Sequence, residues 1–591
     1  MPPRRVPTSR RPRTSSTPRR LVRRPAAGDG SSRTAPVAPS APDASGWSPA
    51  RLVRYSLLGS GRGRLLVVGS LGFVLHQVCE ALVPVLVGVV VDEAIVPHDG
   101  SALVRWLLVL AAVFVTLTLA WRTGMLATMR VYAVGQHDLR DLVVHRTLDP
   151  RGSTAPRAPG EVLSIATSDT SRVAGTAWLV SEMLGALAAV TTVAVSLLLV
   201  SVPLGLAVLV ATPVVLVVMH RLSVPLESRS AREQEAAARA GTLATDAMAG
   251  LRVLKGLGAE DAAAARYRSA SRSSLAAALR AARSKAAYTS LSTALSSVFL
   301  AGIALGAGWM ALRASITTGQ LVTVVGLAQL VQGPMASLGF LGVDLAQRRA
   351  SARRLSTLLA DAHLLADGGD ARDRDAAPDR PALLTLHGVT STDGLDHADV
   401  TLRPGDVVGV VADDVVAAQH LVDALGLRAA PRAGLVSVRG QDLAVADAST
   451  VRATVFAAEH DAAVLAGTVR DAVCPGPGPL DDRAVVTSGL TEVLTHLPAG
   501  LDSPVSARGH NLSGGQRQRL VLARALHRPE PVLVLHEPTT AVDSVTEAAI
   551  AGGLSAFPEK AVVLVTTSPA LLAACSTVVR LAETPAVAVP A

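Results

Sequence analysis

Six apolar runs of about 20 residues constrain this chain more than any other feature. They extend approximately from Leu65 to Val90, Leu103 to Met125, Ala177 to Val200, Leu204 to Met219, Ala287 to Leu312, and Leu321 to Leu341. Runs of that length and composition span the hydrocarbon layer of a membrane as helices, because hydrocarbon offers no partners for free backbone groups. The whole chain agrees: its 591 residues are 49% hydrophobic and only 17% charged, which is unusual for a soluble protein of this size. The third and fourth runs are separated by little more than "SVPLG", a tight turn. Ahead of the first lies "SPARLVRYSLLGSGRGR", which reads as a short amphipathic helix on the membrane surface.

Arginine placement predicts the orientation. The connection from Arg122 to Arg172 carries Arg130, Arg140, Arg146, Arg151 and Arg157, and the one from Arg221 to Lys285 is equally rich. By contrast, "VDEAIVPHDGSA" has no Lys or Arg, and "RASITTG" has only Arg313. The long basic connections are therefore expected in the cytosol and the short ones outside, with both chain ends cytosolic. The stretch from Ser230 to Gly256 is mostly strong helix formers, so the spanning helices are expected to extend into the cytosol. Glu80 and His76 in the first run and Glu182 in the third are ionisable groups in apolar surroundings. Substrate contact and polar contact between helices are both open readings for them. Asp344 falls where the sixth helix leaves the membrane and is given no role.

The formal net charge of +9 comes largely from an arginine-rich first segment. Residues 1–48 have too little apolar surface to order themselves and read as a disordered basic tail. It is expected to be solvated, with anionic lipid as the second reading and no nucleic acid as partner. Its paired arginines are not followed by the apolar run and cleavage site of a secretory signal. Cys79, Cys474 and Cys575 are scattered, without metal-ligand spacing or a disulfide framework.

Composition changes after the sixth run. The membrane unit is assigned to residues 49–355 and a linker to 356–381, acidic and Gly- and Pro-containing from Asp367 to Pro381. Residues 382–583 alternate β-like runs ("LLTLHGV", "DVVGVVA", "PVLVLHE", "AVVLVTT") with helical stretches, the pattern of an α/β domain with a largely parallel sheet. Residues 584–591 form a short tail.

Within that domain, "NLSGGQRQRLVLARAL" (Asn511 to Leu526) is followed by "PVLVLHEPTTAVD". This pair, in this order and spacing, resembles the signature motif, Walker B segment and D-loop of ATP-binding cassette (ABC) proteins. "APGEVLSIATSDTSRV", "AGLRVLKGLGAEDAAAARY" and "TTGQLV" resemble the two cytosolic connections and the start of the sixth span of ABC exporters. The resemblance covers nearly everything from about residue 50 to 583. It implies a membrane all-α domain of six helices, of ABC exporter type 1, followed by an α/β P-loop-type nucleotide-binding domain.

A phosphate loop reads G-x-x-x-x-G-K-[ST] between a strand and a helix. Here "DVVGVV" supplies the strand and "LVDAL" the expected helix, but "ADDVVAAQH" stands between them. Aligned by its flanks, Ala412 takes the place of the first glycine, Ala417 of the second, Ala418 of the lysine and Gln419 of the Ser/Thr. Without the glycines the nest of N–H groups is lost, and without the lysine nothing compensates the β and γ phosphates. Asp413 and Asp414 add repulsion. The resemblance places further departures at Asp393 for the adenine-stacking aromatic, His460 for the Mg2+-sensing glutamine, His536 for the Walker B aspartate and Thr567 for the switch histidine. Neutral imidazole is a poor ligand for hard Mg2+. Glu537 stands at the general-base position and is read as inactive; no metal ligand is assigned.

The retained elements have a different address. In the family, two nucleotide-binding domains pair head to tail, and each ATP is held by one phosphate loop and capped by the other domain's signature. Ser513, Gly514, Gly515, Gln516 and Asp543 therefore read as serving, in trans, a site held by another chain. The expected function is the degenerate subunit of a heterodimeric ATP-driven exporter. It would sit in a plasma membrane and use ATP and Mg2+ in a site shared with a second half-transporter that has an intact phosphate loop. A non-transporting membrane scaffold or regulator is the alternative.

Overall fold

The computed structural model describes residues 42–155, 157–365, 382–390, 398–412, 414–429, 433–443, 445–460, 462–476 and 478–581. Most of the basic tail, residues 366–381 of the linker, Asp393, Asp413 and the last tail lie outside the described residues.

Among the described residues, five helices are long and apolar enough to cross a membrane: Gly63–Ile95, Gly100–Thr147, Pro159–Val200, Glu260–Leu312 and Thr318–Ala360. The expected run from Leu204 to Met219 lies in a further long helix, Val202–Ala249. At 1.5 Å per residue a helix of 48 residues measures about 72 Å, more than twice the hydrocarbon thickness. Apolar runs therefore continue into polar helical extensions without a break, as in Gly100–Thr147. The turn at "SVPLG" reduces to Ser201 alone in extended conformation (φ −160°), with Pro203 in the first turn of the following helix.

The stretch "VDEAIVPHDGSA" is expected as a loop but is largely helical. The first helix continues through a π turn, Val91–Ile95. Asp99 then caps the next helix, accepting from the N–H groups of Ser101 (2.8 Å) and Ala102 (3.1 Å). Asp92, in the π turn, accepts from the N–H of Gly319 at 2.8 Å and from the Thr317 hydroxyl, which ties this corner to the start of the sixth span. Sequence reading stopped the helix at the first acidic pair; the carboxylates instead serve the helix ends.

Close helix packing rests on small residues. A Cβ added to Gly72 would lie 2.6 Å from the Cα of Gly124 on the second helix. The ionisable groups of the spans have polar neighbours: His76 Nδ1 lies 3.2 Å from the Leu117 carbonyl, and Glu182 accepts from the Ser337 hydroxyl at 3.1 Å. The surface helix forms at Pro49–Leu58, capped by Ser48. Behind it Arg62, 3% exposed, pairs with Asp138 and donates to the Tyr55 carbonyl at 2.8 Å.

The last helix runs to Ala360, into the segment assigned to the linker. Its end is clamped to the first long connection. Arg157 donates twice to the Asp361 carboxylate (2.9 and 3.1 Å), and Arg146 donates to the Asp361 carbonyl at 2.5 Å. Thr154 N–H donates to Ala362, and Leu365 N–H to Arg151.

The soluble domain holds strands β1 Leu384–Thr390, β2 Ala398–Leu402, β3 Val407–Val411, β4 Ala433–Val438, β5 Gln441–Asp442, β6 Val455–Ala458, β7 Gly467–Thr468, β8 Pro504–Val505, β9 Val532–His536, β10 Ala561–Val565 and β11 Thr577–Arg580. One sheet is parallel, in the order β11-β3-β10-β9-β6, as the alternating pattern predicts. The second sheet, β2-β1-β4-β5, is antiparallel, which the expectation of one parallel sheet omitted. Its strands are short and interrupted by bulges, so their period-2 signal is weak. The core lies between the sheets. Leu384, Leu386 and Val436 meet Val410, Val534 and Val563, with Leu421 and Leu425 of the helix that follows β3.

Candidate functional site

In open parallel sheets, ligands bind outside the carboxyl ends of the strands. The fold brings most of the sequence-selected positions to that edge. His460 follows β6, His536 ends β9, Glu537 follows it, and Thr567 follows β10. The helix Val415–Leu425 follows β3.

The strand-to-helix connection after β3 is shorter than a phosphate loop. The helix starts at Val415, six residues before "LVDAL", so Ala417, Ala418 and Gln419 are helical. The cause is local. The segment lacks glycine, and Asp414 caps the helix, accepting from the N–H of Val416 at 3.0 Å. A carboxylate thus stands at the helix N-terminus, where a phosphate would sit. Ala418 is 7% exposed and belongs to the core. Gln419 donates to Asp423 of its own helix at 3.1 Å.

Beyond β9, His460 and His536 face each other with ring centroids 6.0 Å apart. Burial holds the His536 imidazole below its usual titration range, and the neighbouring His460 pushes the same way. Its Nδ1 is buried and has no hydrogen-bond partner among the described residues. His460 Nδ1 lies 3.4 Å from the Glu537 carbonyl. Glu537 has a left-handed backbone (φ 44°), rare outside glycine. Its carboxylate accepts from the Thr566 hydroxyl (3.0 Å) and the Thr567 N–H (3.1 Å), so it is held as an acceptor. These residues do not fit an Mg2+–nucleotide complex. A neutral imidazole replaces a carboxylate ligand, the helix terminus carries its own anion, and no group of three His, Cys, Asp or Glu among the described residues could hold a metal.

The signature segment is ordered very differently. Ser513 caps the helix Gly514–His527 in a reciprocal box: its hydroxyl accepts from Gln516 N–H (3.2 Å), and Gln516 Oε1 accepts from Ser513 N–H (2.9 Å). A Cβ on Gly515 would fall 2.6 Å from the Ala541 carbonyl oxygen, so only glycine lets the D-loop approach. Gln518, not singled out from the sequence, staples the two together. It donates to the Thr540 hydroxyl (2.6 Å) and accepts from the Ala541 N–H (2.7 Å). Its signal was available in "SGGQRQ", since Gln518 follows Gly514 and Gly515 by four and three residues and so shares their helix face. Asp543 caps the helix Ser544–Gly553, accepting from Thr546 N–H at 2.9 Å, and this hydrogen bond lowers its pKa. Arg452 was also missed. It donates to the carbonyls of Pro150 (3.1 Å), Gly426 (3.2 Å) and Leu427 (3.2 Å), joining the first long connection to the soluble domain.

A helical membrane domain joined to an α/β domain with this signature helix has the fold of an ABC exporter half. Family models agree: the ABC transporter transmembrane region matches residues 66–335, and the ABC transporter domain matches residues 395–540. The multidrug efflux ATP-binding/permease protein of Mycobacterium tuberculosis is 29% identical over 500 residues, covering 82% of this chain. The chain spans only 41% of that relative's length. The mycobactin import ATP-binding/permease protein IrtB of Mycolicibacterium smegmatis is 29% identical over 503 residues, covering 80% of this chain and 82% of the relative. The structure of a bacterial Atm1-family ABC exporter with ATP bound shares the fold, with a TM-score of 0.72 at 21% identity, over 88% of this chain and 93% of that one.

Proposed function

We propose that this chain is the catalytically silent half of a heterodimeric, ATP-driven exporter. Its partner holds ATP and Mg2+ on an intact phosphate loop. This chain contributes Ser513, Gly514, Gly515 and Gln516 to cap that nucleotide, with Asp543 beside them, and half of the substrate path. The observation that carries the reading is the contrast between two helix N-termini in one domain. After β3, Asp414 fills the terminus from within. At the signature, Ser513 and Gln516 cap an exposed, glycine-flanked terminus that has no acidic residue in its first turn, which suits an anion held by another chain.

A second surface supports the need for a partner. The tip helix Leu251–Leu257, between Val202–Ala249 and Glu260–Leu312, leaves Leu251, Val253 and Leu257 exposed, as is Met248 at the end of the helix before it. The first connection is anchored on this chain's own soluble domain by Arg452. The apolar second tip fits the soluble domain of the other half. Closure of the two domains on ATP would then pull both connections and alternate the access of the spans. The export direction rests on the exporter architecture, and the mycobactin-import relative makes it a point to measure.

The test is purification of this chain with its bound partner, followed by ATPase and vesicle transport assays. Turnover that needs both chains and disappears when the partner's phosphate-loop lysine is replaced supports the proposal. Undiminished turnover after that replacement refutes it. A stable pair without turnover or transport favours the scaffold.

A further inference from the structure

Between the polar extensions of Val202–Ala249 and Glu260–Leu312 lies a cavity of about 360 Å3, open to solvent on one side. It is lined by Arg229 and Arg232 from one helix and Ala277, Arg280, Arg283 and Ser284 from the other. The i, i+3 spacing puts both arginines of each pair on one face, so four guanidinium groups converge. Among the described residues no carboxylate lines the cavity, and none of the four arginines forms an ion pair. Nearby, Arg239 has its own partner in Glu235 at 2.5 Å. Arg229 donates to the Ser284 hydroxyl (2.5 Å), which donates to the Arg280 carbonyl (2.9 Å). That chain orients one wall and leaves the remaining guanidinium donors facing the cavity.

Four cations with no carboxylate beside them among the described residues repel each other, and the recess has the volume of a small-ligand pocket. Planar guanidinium groups match the oxygens of a phosphate in pairs. The site also sits beside the membrane boundary. Arg283 precedes the apolar run at Ala287 by about one helical turn, and Arg229 follows the run ending at Met219 by about 15 Å of helix. We infer that this cavity binds a phosphate-bearing anion, and nothing in the nucleotide chemistry of the soluble domain requires it. The phosphate has two possible sources, an anionic lipid headgroup reached from the bilayer or a soluble anion reached from the aqueous side.

The test uses the full-length chain in detergent, titrated separately with short-chain phosphatidylglycerol, with inorganic pyrophosphate and with phosphatidylcholine as the zwitterionic control. Native mass spectrometry reads lipid retention, and calorimetry reads pyrophosphate binding. At least one anion should bind more tightly than phosphatidylcholine or chloride, and the one that does identifies the source. Arg280→Gln/Arg283→Gln should weaken that binding by about tenfold or more, while Arg239→Gln, outside the cavity, should leave it unchanged. If the first double variant is not monodisperse, Arg229→Gln/Arg232→Gln probes the opposite wall. Selective binding lost at the cavity arginines supports the inference whether or not the chain proves to need a catalytic partner. Equal binding of all probes, wild-type affinity in the cavity variants, or an equal loss in Arg239→Gln overturns it.

Discussion

Replacing Ala418 by lysine and Gln419 by serine restores the last two residues of a phosphate loop on paper. It is expected to damage the domain without creating a nucleotide site. Ala418 is 7% exposed and packs in the core with Val410, Leu421 and Val422. A lysine there starts inside the helix and points its stem into that core. An uncompensated buried charge costs about 3–5 kcal/mol. For a domain of some 200 residues, each kcal/mol lowers the unfolding midpoint by about 2–4 °C. The expected loss is therefore roughly 6–20 °C. Tryptophan fluorescence does not see it, because Trp47, Trp106, Trp121, Trp178 and Trp309 all precede the soluble domain. Cys575 does: it is half-buried, packs against the apolar cluster on the other face of β3 and β10, and burial raises its thiol pKa. In a Cys79→Ser/Cys474→Ser background, a thiol-reactive dye reports the unfolding of the whole soluble domain on heating, and a labelled ATP analogue reports binding. A double variant that melts with the parent and binds the analogue at micromolar concentration would refute the reasoning. The β3 turn would then be a phosphate loop only two residues away from function.

Three further outcomes follow from the same geometry. Ser513→Arg should abolish ATPase of the assembled pair, since it breaks the cap and fills the phosphate-facing terminus, whereas Glu537→Gln should change turnover little; equal loss in a paired assay contradicts the assignment. Gly515→Ala, whose Cβ would sit 2.6 Å from the Ala541 oxygen, should reduce turnover of the pair by about tenfold or more through displacement of the signature from the D-loop. The lowered pKa of His536 means that the unfolded chain takes up this proton first as pH falls. Stability of the soluble domain should therefore decline below about pH 6.5, by up to about 1.4 kcal/mol per pH unit, until the folded-state value is passed. His536→Gln should flatten that slope in thermal melts between pH 7 and 5.

The spanning helices were legible because a membrane demands long continuous apolar runs, and the signature because its glycines and cap residues carry local chemistry. Their ends were not. Asp92, Asp99 and Asp414 look like loop residues in a string, yet each satisfies backbone N–H groups at a helix start. A capping carboxylate and a loop carboxylate have the same letter, and only the partner tells them apart. Arg452 and Gln518 were silent for a similar reason. Their partners are main-chain atoms of other segments, and such bonds leave no spacing to read.

The internal carboxylate at Asp414 bears on how the proposed pair would respond to the energy state of a cell. A domain that binds nucleotide gains stability as its ligand rises above the dissociation constant, by RT ln(1 + [L]/Kd). On the proposed reading, a terminus already capped by its own Asp414 would have no such dependence. In the proposed pair, the soluble domain of this half would keep the same rigidity through starvation and plenty, while its partner would tighten and loosen with the ATP level. The asymmetry would then act as a fixed anvil against which a single moving face closes, so that each cycle registers one nucleotide and the resting geometry of half the machine is independent of fuel.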